Sequence, residues 1–217
     1  MRFSVKPLII FLDEDPVKSS WALSTRFIDY NIRNCVQVLV CANLYMVGIR
    51  NRKACSCYFG KERKTESLQR FFPNWPMKKP PSFVKYTSQE SRWCRKCKNH
   101  YDVILNYLGA LLEEFAFRRG VEHELQEMYD FLQTIQFENS LRLGIKVVFV
   151  KNLKVVLPWK NLPLKYRKKD IIEGYRKYYK SLIIDPFYDY GDSKRDIPEW
   201  LLDNGGLEDR PFSIELT

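Results

Sequence analysis

The stretch WCRKCKNHY, residues 93–101, places two cysteines at C-x-x-C spacing and a histidine three residues further on. Thiolate and imidazole are ligands that zinc selects, and residues three apart on a helix are neighbours on its surface. A second pair, Cys55 and Cys57 in ACSC, offers two more thiols. Together Cys55, Cys57, Cys94 and Cys97 would close a tetrahedral site, with His100 as a substitute ligand. Such a site is structural, because four protein ligands leave no open position for chemistry. Buried, small, hydrophobic thiols are the competing reading, and redox chemistry is a third.

Acid–base chemistry has fewer candidates. His100 and His123 are the two histidines, and neither lies in a Gly-x-Ser-x-Gly or papain-like context. No glycine-rich loop opens a helix to cradle phosphate. Asp13, Glu14 and Asp15 cluster where a strand is expected to give way to a helix, a common place for active-site acids. Asp15 also reads as a plain helix cap. Glu113 and Glu114 fall mid-helix, with Arg118 four residues beyond Glu114, so a salt bridge is the simpler reading there. An enzyme built from these groups would need Asp13, Asp15, Arg95, Glu114 and His123 to converge in one basic cleft.

Phosphate contacts are better supplied. The chain has 217 residues with 36 Lys and Arg against 26 Asp and Glu, a net charge of +10 and a pI near 9.3. That balance favours a polyanionic partner, nucleic acid before an acidic membrane surface. Basic and aromatic residues interleave in YRKKDIIEGYRKYYK, a mixture that suits phosphate contact with base stacking. Arg92 and Arg95 on one helix, then Arg167, Lys168, Lys169, Arg176, Lys177 and Lys180, are the candidate phosphate contacts. Tyr175 and Tyr178 share a stripe with Ile171 and read as core. A merely solvated basic face is the plainer alternative.

The elements that would position these groups are mainly helical. KPLIIFL, residues 6–12, is a short apolar run compatible with a buried strand. Asp15 and Pro16 then open a helical pattern that runs to about 46, with a break among Ser19–Ser24. Phe27, Ile28, Ile32, Cys35, Val36, Leu39 and Val40 give it a wide apolar face. Residues 48–88 are basic, proline-rich and without periodicity, and read as a long irregular insertion. A long helix over 89–119 ends at Gly120, and placing residues every 100° puts Trp93, Cys97, His100, Tyr101 and Ile104 on its buried stripe. A further helix is expected over 121–135, a strand pair or hairpin over 145–157, and a helix from Asp170 with Glu173 as in a capping box. From about 185 the chain is turn-rich. The whole reads as a single helical domain, 1–217, with 48–88 as an insertion. It has no apolar stretch of the roughly 18–20 residues a membrane helix needs, and it carries no signal-peptide pattern. A soluble, intracellular protein without a membrane partner is expected.

Four stretches carry a resemblance: FLDEDPVKSS, ESRWCRKCKNHYDVILNYLGALLEEFAFRRGVEH, LPLKYRKKDIIEGYRKYY and IPEW. In this order the chain resembles a family of small, mostly helical, largely uncharacterised proteins encoded by tailed phages and some large DNA viruses. Leu12, Asp13, Asp15 and Pro16 match its opening. Trp93, Arg95, Tyr101, Glu114, Phe115, Arg118, Gly120 and His123 match its central helix and the ending after it. Pro163, Tyr166, Tyr175, Arg176, Tyr178, Tyr179 and Pro198 to Trp200 match its closing blocks. A more remote similarity is to the pyrimidine-dimer DNA glycosylases of phages. The family's first helix carries His, Lys and Glu where this chain has Phe27, Tyr30 and Asn34, with Gln37 and Leu39 retained; its Asn-His-Pro is replaced by Thr87, Ser88 and Gln89. The resemblance implies a viral-type protein of host cytoplasm or nucleus, with any reaction carried by those residues lost.

Three functions follow as expectations: a nucleic-acid-binding protein, DNA favoured; a DNA-processing enzyme of glycosylase or lyase type acting on flipped bases; or a virus–host interaction factor whose FFPNWP stretch binds a host protein. Structural zinc is the only cofactor expected.

Overall fold

The computed structural model describes residues 9–46, 76, 88–135, 157–158, 162–191 and 194–202. Within them the protein is mainly helical. Two helices of 22 residues, α2 (Thr25–Met46) and α4 (Lys98–Arg119), pack along each other. Around them lie α1 (Pro16–Trp21), against α4, and α3 (Gln89–Cys94), against α2. Helix α5 (Gln126–Thr134) touches both long helices, and α7 (Pro186–Tyr190) touches α2. The 3-10 turn Leu164–Tyr166 packs on α6 (Ile171–Lys180), and α8 (Glu199–Leu202) follows at the end of the described residues.

The caps are those the sequence leads one to expect. Asp15 accepts from the backbone of Val17 and Lys18 with Pro16 in the first turn, and Asp170 accepts from Glu173 N. Gly120 ends α4 in the left-handed region, φ 72°, where only glycine is unstrained. The expected interruption near Ser19–Ser24 is the corner between α1 and α2. Beyond it α2 is buried almost all round from Asn34 to Leu44, as its continuous apolar composition requires. Its three buried asparagines, Asn31, Asn34 and Asn43, each return an amide hydrogen to the carbonyl four residues earlier, though the Asn43 Oδ1 is left without a hydrogen-bond partner.

Four expectations need correction. Residues 9–12 are buried but form no strand. Their backbone groups are satisfied by side chains instead: Ile10 N donates to Asn31, and Leu12 O accepts from Arg176 at 2.8 Å. Leu12 N donates to the Ser19 hydroxyl, which donates to Tyr107, which donates to Ile10 O. The helix expected over 89–119 is two helices, broken at Arg95–Cys97. The Trp93 carbonyl accepts from Lys96 N and meets His100 Nδ1 at 2.9 Å, while the two rings stack at 4.1 Å. That local closure turns the chain, and Cys97 stands as the extended N-cap of α4. Helix α5 begins at Gln126 rather than 121. The segment after 185 holds the short helices α7 and α8 rather than turns alone. The insertion at 48–88, apart from Pro76 and Ser88, and the hairpin at 145–157, apart from Leu157, lie outside the described residues.

Candidate functional site

The acid expected at position 114 lies inside the protein, 3% exposed. One Glu114 oxygen accepts from Arg118 Nε at 2.7 Å and from Arg195 at 3.0 Å, and the other accepts from Arg195 at 2.8 Å. Arg118, itself 0% exposed in its side chain, spends its remaining hydrogens on Leu23 O and Trp21 O at the corner between α1 and α2. Two arginines thus hold one carboxylate. Arg195, which the sequence reading did not single out, is 81 residues away in sequence, and only the closing of the chain brings it there.

His123 is likewise engaged at both nitrogens. Leu125 N donates to its Nδ1 at 3.0 Å, so the hydrogen sits on Nε2, which donates to Asp29 at 2.9 Å. Phe115 meets the ring edge-on at 4.7 Å. Burial by itself pushes the Asp29 carboxyl up, but hydrogen bonds from Arg33 and His123 outweigh it and hold it below its ordinary 3.8. A carboxylate with a depressed folded pKa stabilises fully above the unfolded value, and that stability is lost as pH falls through the folded one. Asp29→Asn should therefore cost stability at pH 6 and cost less at pH 3, read as the gap between urea midpoints of the two proteins. A gap that stays constant with pH would dismiss the ionic role.

Asp13 and Asp15 serve the entry to α1. Asp13 accepts from Asp15 N at 3.0 Å and pairs with Arg176 at 3.2 Å; Asp15 caps the helix. Arg95 stands before α4, over the Tyr45 ring at 4.1 Å. Sixteen residues of helix separate Lys98 from Glu114, about 24 Å at 1.5 Å per residue. Arg95 and Glu114 therefore stand near opposite ends of α4, while Asp13 and Asp15 serve α1 and His123 is held by Asp29.

Phe27, Tyr30 and Asn34 share one stripe of α2. Phe27 packs edge-on against Tyr179 at 5.0 Å, and Asn34 is buried. Burial chiefly, with the Glu90 carboxylate adding to it, raises the Tyr30 phenol against a hydrogen bond with Asn34. Burial likewise raises Tyr178 to about 12, with Tyr30 and Tyr166 as its electrostatic neighbours. Glu90, 3% exposed, also bears on Tyr175. The sequence reading missed Glu90, because an acid in a first helical turn ordinarily marks an exposed position favoured by the helix dipole. On the same α2 stripe, Gln37 Oε1 is buried without a hydrogen-bond partner.

Cys35, Cys41, Cys94 and Cys97 are free and buried. Burial pushes the Cys41 thiol up to about 12, with Arg95 and Ser91 opposing, and pushes the Cys94 thiol well above its ordinary value, with Cys35, Cys41 and Cys97 nearby. Cys41 and Cys94 are therefore neutral thiols at ordinary pH. Among the described residues no group of three or more His, Cys, Asp or Glu is placed to hold a metal ion. Cys55 and Cys57 lie outside those residues. His100 has the right donor chemistry, its Nε2 buried and unpartnered behind an Nδ1 held by the Trp93 carbonyl.

The expected phosphate contacts divide in two. Arg92, Lys168 and Lys169 are exposed and form no ion pair among the described residues. Arg167 turns back to Leu162 O, Arg176 to Leu12 O and Asp13, and Lys177 to Glu173. Lys180 is half-buried at the end of α6. Taken together the described residues balance, with as many Asp and Glu as Lys and Arg. The surplus lies elsewhere: residues 47–87 contain ten Lys and Arg against two Glu. None of the described helices is long and apolar enough to cross a membrane. Compared with known protein families, curated proteins and solved structures, the chain finds no match.

Proposed function

We propose that the protein binds nucleic acid and does so without catalysis, as a viral-type member of the phage and large-DNA-virus family it resembles. One observation carries this reading: the charge is segregated. The helical body is neutral, and the positive surplus is concentrated in one stretch of sequence, 47–87. Charge spread for solubility would have no reason to gather so. A polyanion attracts such a cluster by releasing its own counterions. The non-catalytic half of the proposal rests on Glu114 and His123, whose hydrogen-bonding atoms are taken up by the fold, and on Asp15, whose Oδ1 caps α1.

The test is equilibrium binding to labelled DNA across a salt series. The affinity is expected to fall at least tenfold between roughly 50 and 200 mM salt. Replacing Arg50, Arg52, Lys53, Lys61, Arg63 and Lys64 by Ala should flatten that dependence, whereas Lys168→Ala with Lys169→Ala should lower the slope by about 2 at most. Absence of binding at low salt would refute the proposal and turn attention to a host protein as the partner. A structural zinc joining the cysteine pairs belongs to the same proposal; it would require Cys94 to ionise on binding, and the metal content of the purified protein checks it.

A further inference from the structure

At the corner where α1 ends and α4 finishes its last turn, two aromatic rings face outward. Trp21 is 43% exposed and Phe117 48%. They belong to one patch, because the Arg195 guanidinium lies 4.5 Å from the Trp21 ring and 4.3 Å from that of Phe117. The patch is held from beneath. Glu114 grips Arg195 through both of its oxygens, and Arg118 holds the Trp21 carbonyl at 3.1 Å. Lys194 donates to Phe117 O at 3.1 Å and places its ammonium 5.8 Å from the same ring. Among the described residues it is the one non-glycine with positive φ, 53°, and it has no acidic partner there.

Exposed rings cost solvation that a fold ordinarily avoids by turning them inward. Here they are held rigidly beside an unneutralised cation. Stacking surfaces flanked by positive charge are what unpaired bases and their phosphates recognise, while a duplex keeps its base faces stacked on one another. We infer that Trp21 and Phe117 form a stacking platform for single-stranded nucleic acid, with Lys194 meeting the adjacent phosphate. The inference rests on the nucleic-acid reading above and narrows it to a strand type and a place.

The experiment is fluorescence anisotropy with a labelled oligo-dT and a duplex of equal length. It compares the full chain with Trp21→Ala, Phe117→Ala and Trp21→Phe, each shown to be folded by circular dichroism. Each alanine variant should bind the single strand about tenfold more weakly, with duplex affinity within twofold of wild type. Trp21→Phe should recover most of the loss. Because Phe117 and Trp21 sit on different helices, one variant's failure to fold leaves the other as the test. Unchanged single-strand affinity in the alanine variants would overturn the platform while leaving nucleic-acid binding in place. Wild-type protein that binds neither probe at low salt would overturn the underlying reading, and an aromatic patch of this kind would then fit an apolar peptide.

Discussion

Glu114→Ala is expected to destabilise the protein by about 3–5 kcal/mol, the usual cost of removing one partner from a buried ion pair. The carboxylate is 2% exposed in its side chain and faces two arginines, one of them fully enclosed. Without it Arg118 is a buried cation lacking an anion, and no solvent reaches it to compensate. Arg195→Ala should cost distinctly less, because its guanidinium is 29% exposed and its loss leaves Arg118 still paired. Replacing Glu114 and Arg118 together by apolar residues will not restore stability, although buried pairs often tolerate that exchange. Arg118 also satisfies Leu23 O and Trp21 O, and both would be left without that donor. Urea titration of the three variants and the wild type checks the order. A loss below about 1 kcal/mol for Glu114→Ala would mean that water substitutes for the carboxylate.

Tyr179→Phe is the second substitution with a large expected effect, about 1–3 kcal/mol for the removal of a single oxygen. The Tyr179 hydroxyl accepts from Ser24 N at 2.7 Å and meets the Tyr190 hydroxyl at 3.2 Å, and Tyr190 donates in turn to Ala22 O. The two phenols therefore pin both sides of the corner between α1 and α2 from α6 and α7. Phenylalanine would keep the ring contacts with Phe27 and Trp200 while leaving a buried N–H at Ser24 unpaired. Tyr190→Phe should be milder, and the double variant should lose less than the sum, since one chain of hydrogen bonds serves both. Additive losses in thermal or urea unfolding would show that the two hydroxyls act separately.

These residues also mark how far the sequence could be read. Caps were legible because their chemistry is local: Asp15, Asp170 and Gly120 act on backbone within a few residues. Glu114 with Arg118 was legible for the same reason, at one helical turn. The break before α4 was hidden because Trp93, Cys97, His100 and Tyr101 keep helical spacing straight through it. A side chain, His100, takes part in closing the Trp93 carbonyl, and periodicity does not register that. Residues 9–12 imitate a buried strand in composition. Their partners are Ser19, Asn31, Tyr107 and Arg176, up to 164 residues away, which no local pattern announces. Arg195 and Glu90 escaped notice for a related reason: each is an ordinary surface residue type whose role is set by a distant neighbour.

Ring and ion-pair contacts join residues across the chain as well as within single stretches. Asp13 joins Arg176, Tyr179 meets Trp200, Phe115 meets His123, and Tyr166 meets Tyr178. In this chain those positions hold the frame together, and their spacing in sequence is the spacing of a fold.

The clasp around residues 9–12 has a consequence for synthesis. Ile9, Ile10, Phe11 and Leu12 emerge from the ribosome well before two of the side chains that hold them. Tyr107 follows Ile10 by 97 residues and Arg176 follows Leu12 by 164. At about 5–20 residues per second the wait for the last partner is on the order of 10–30 s. For that time the Leu12 carbonyl lacks its Arg176 partner and the apolar side chains around it lack their full cover, the kind of exposed stretch that chaperones hold.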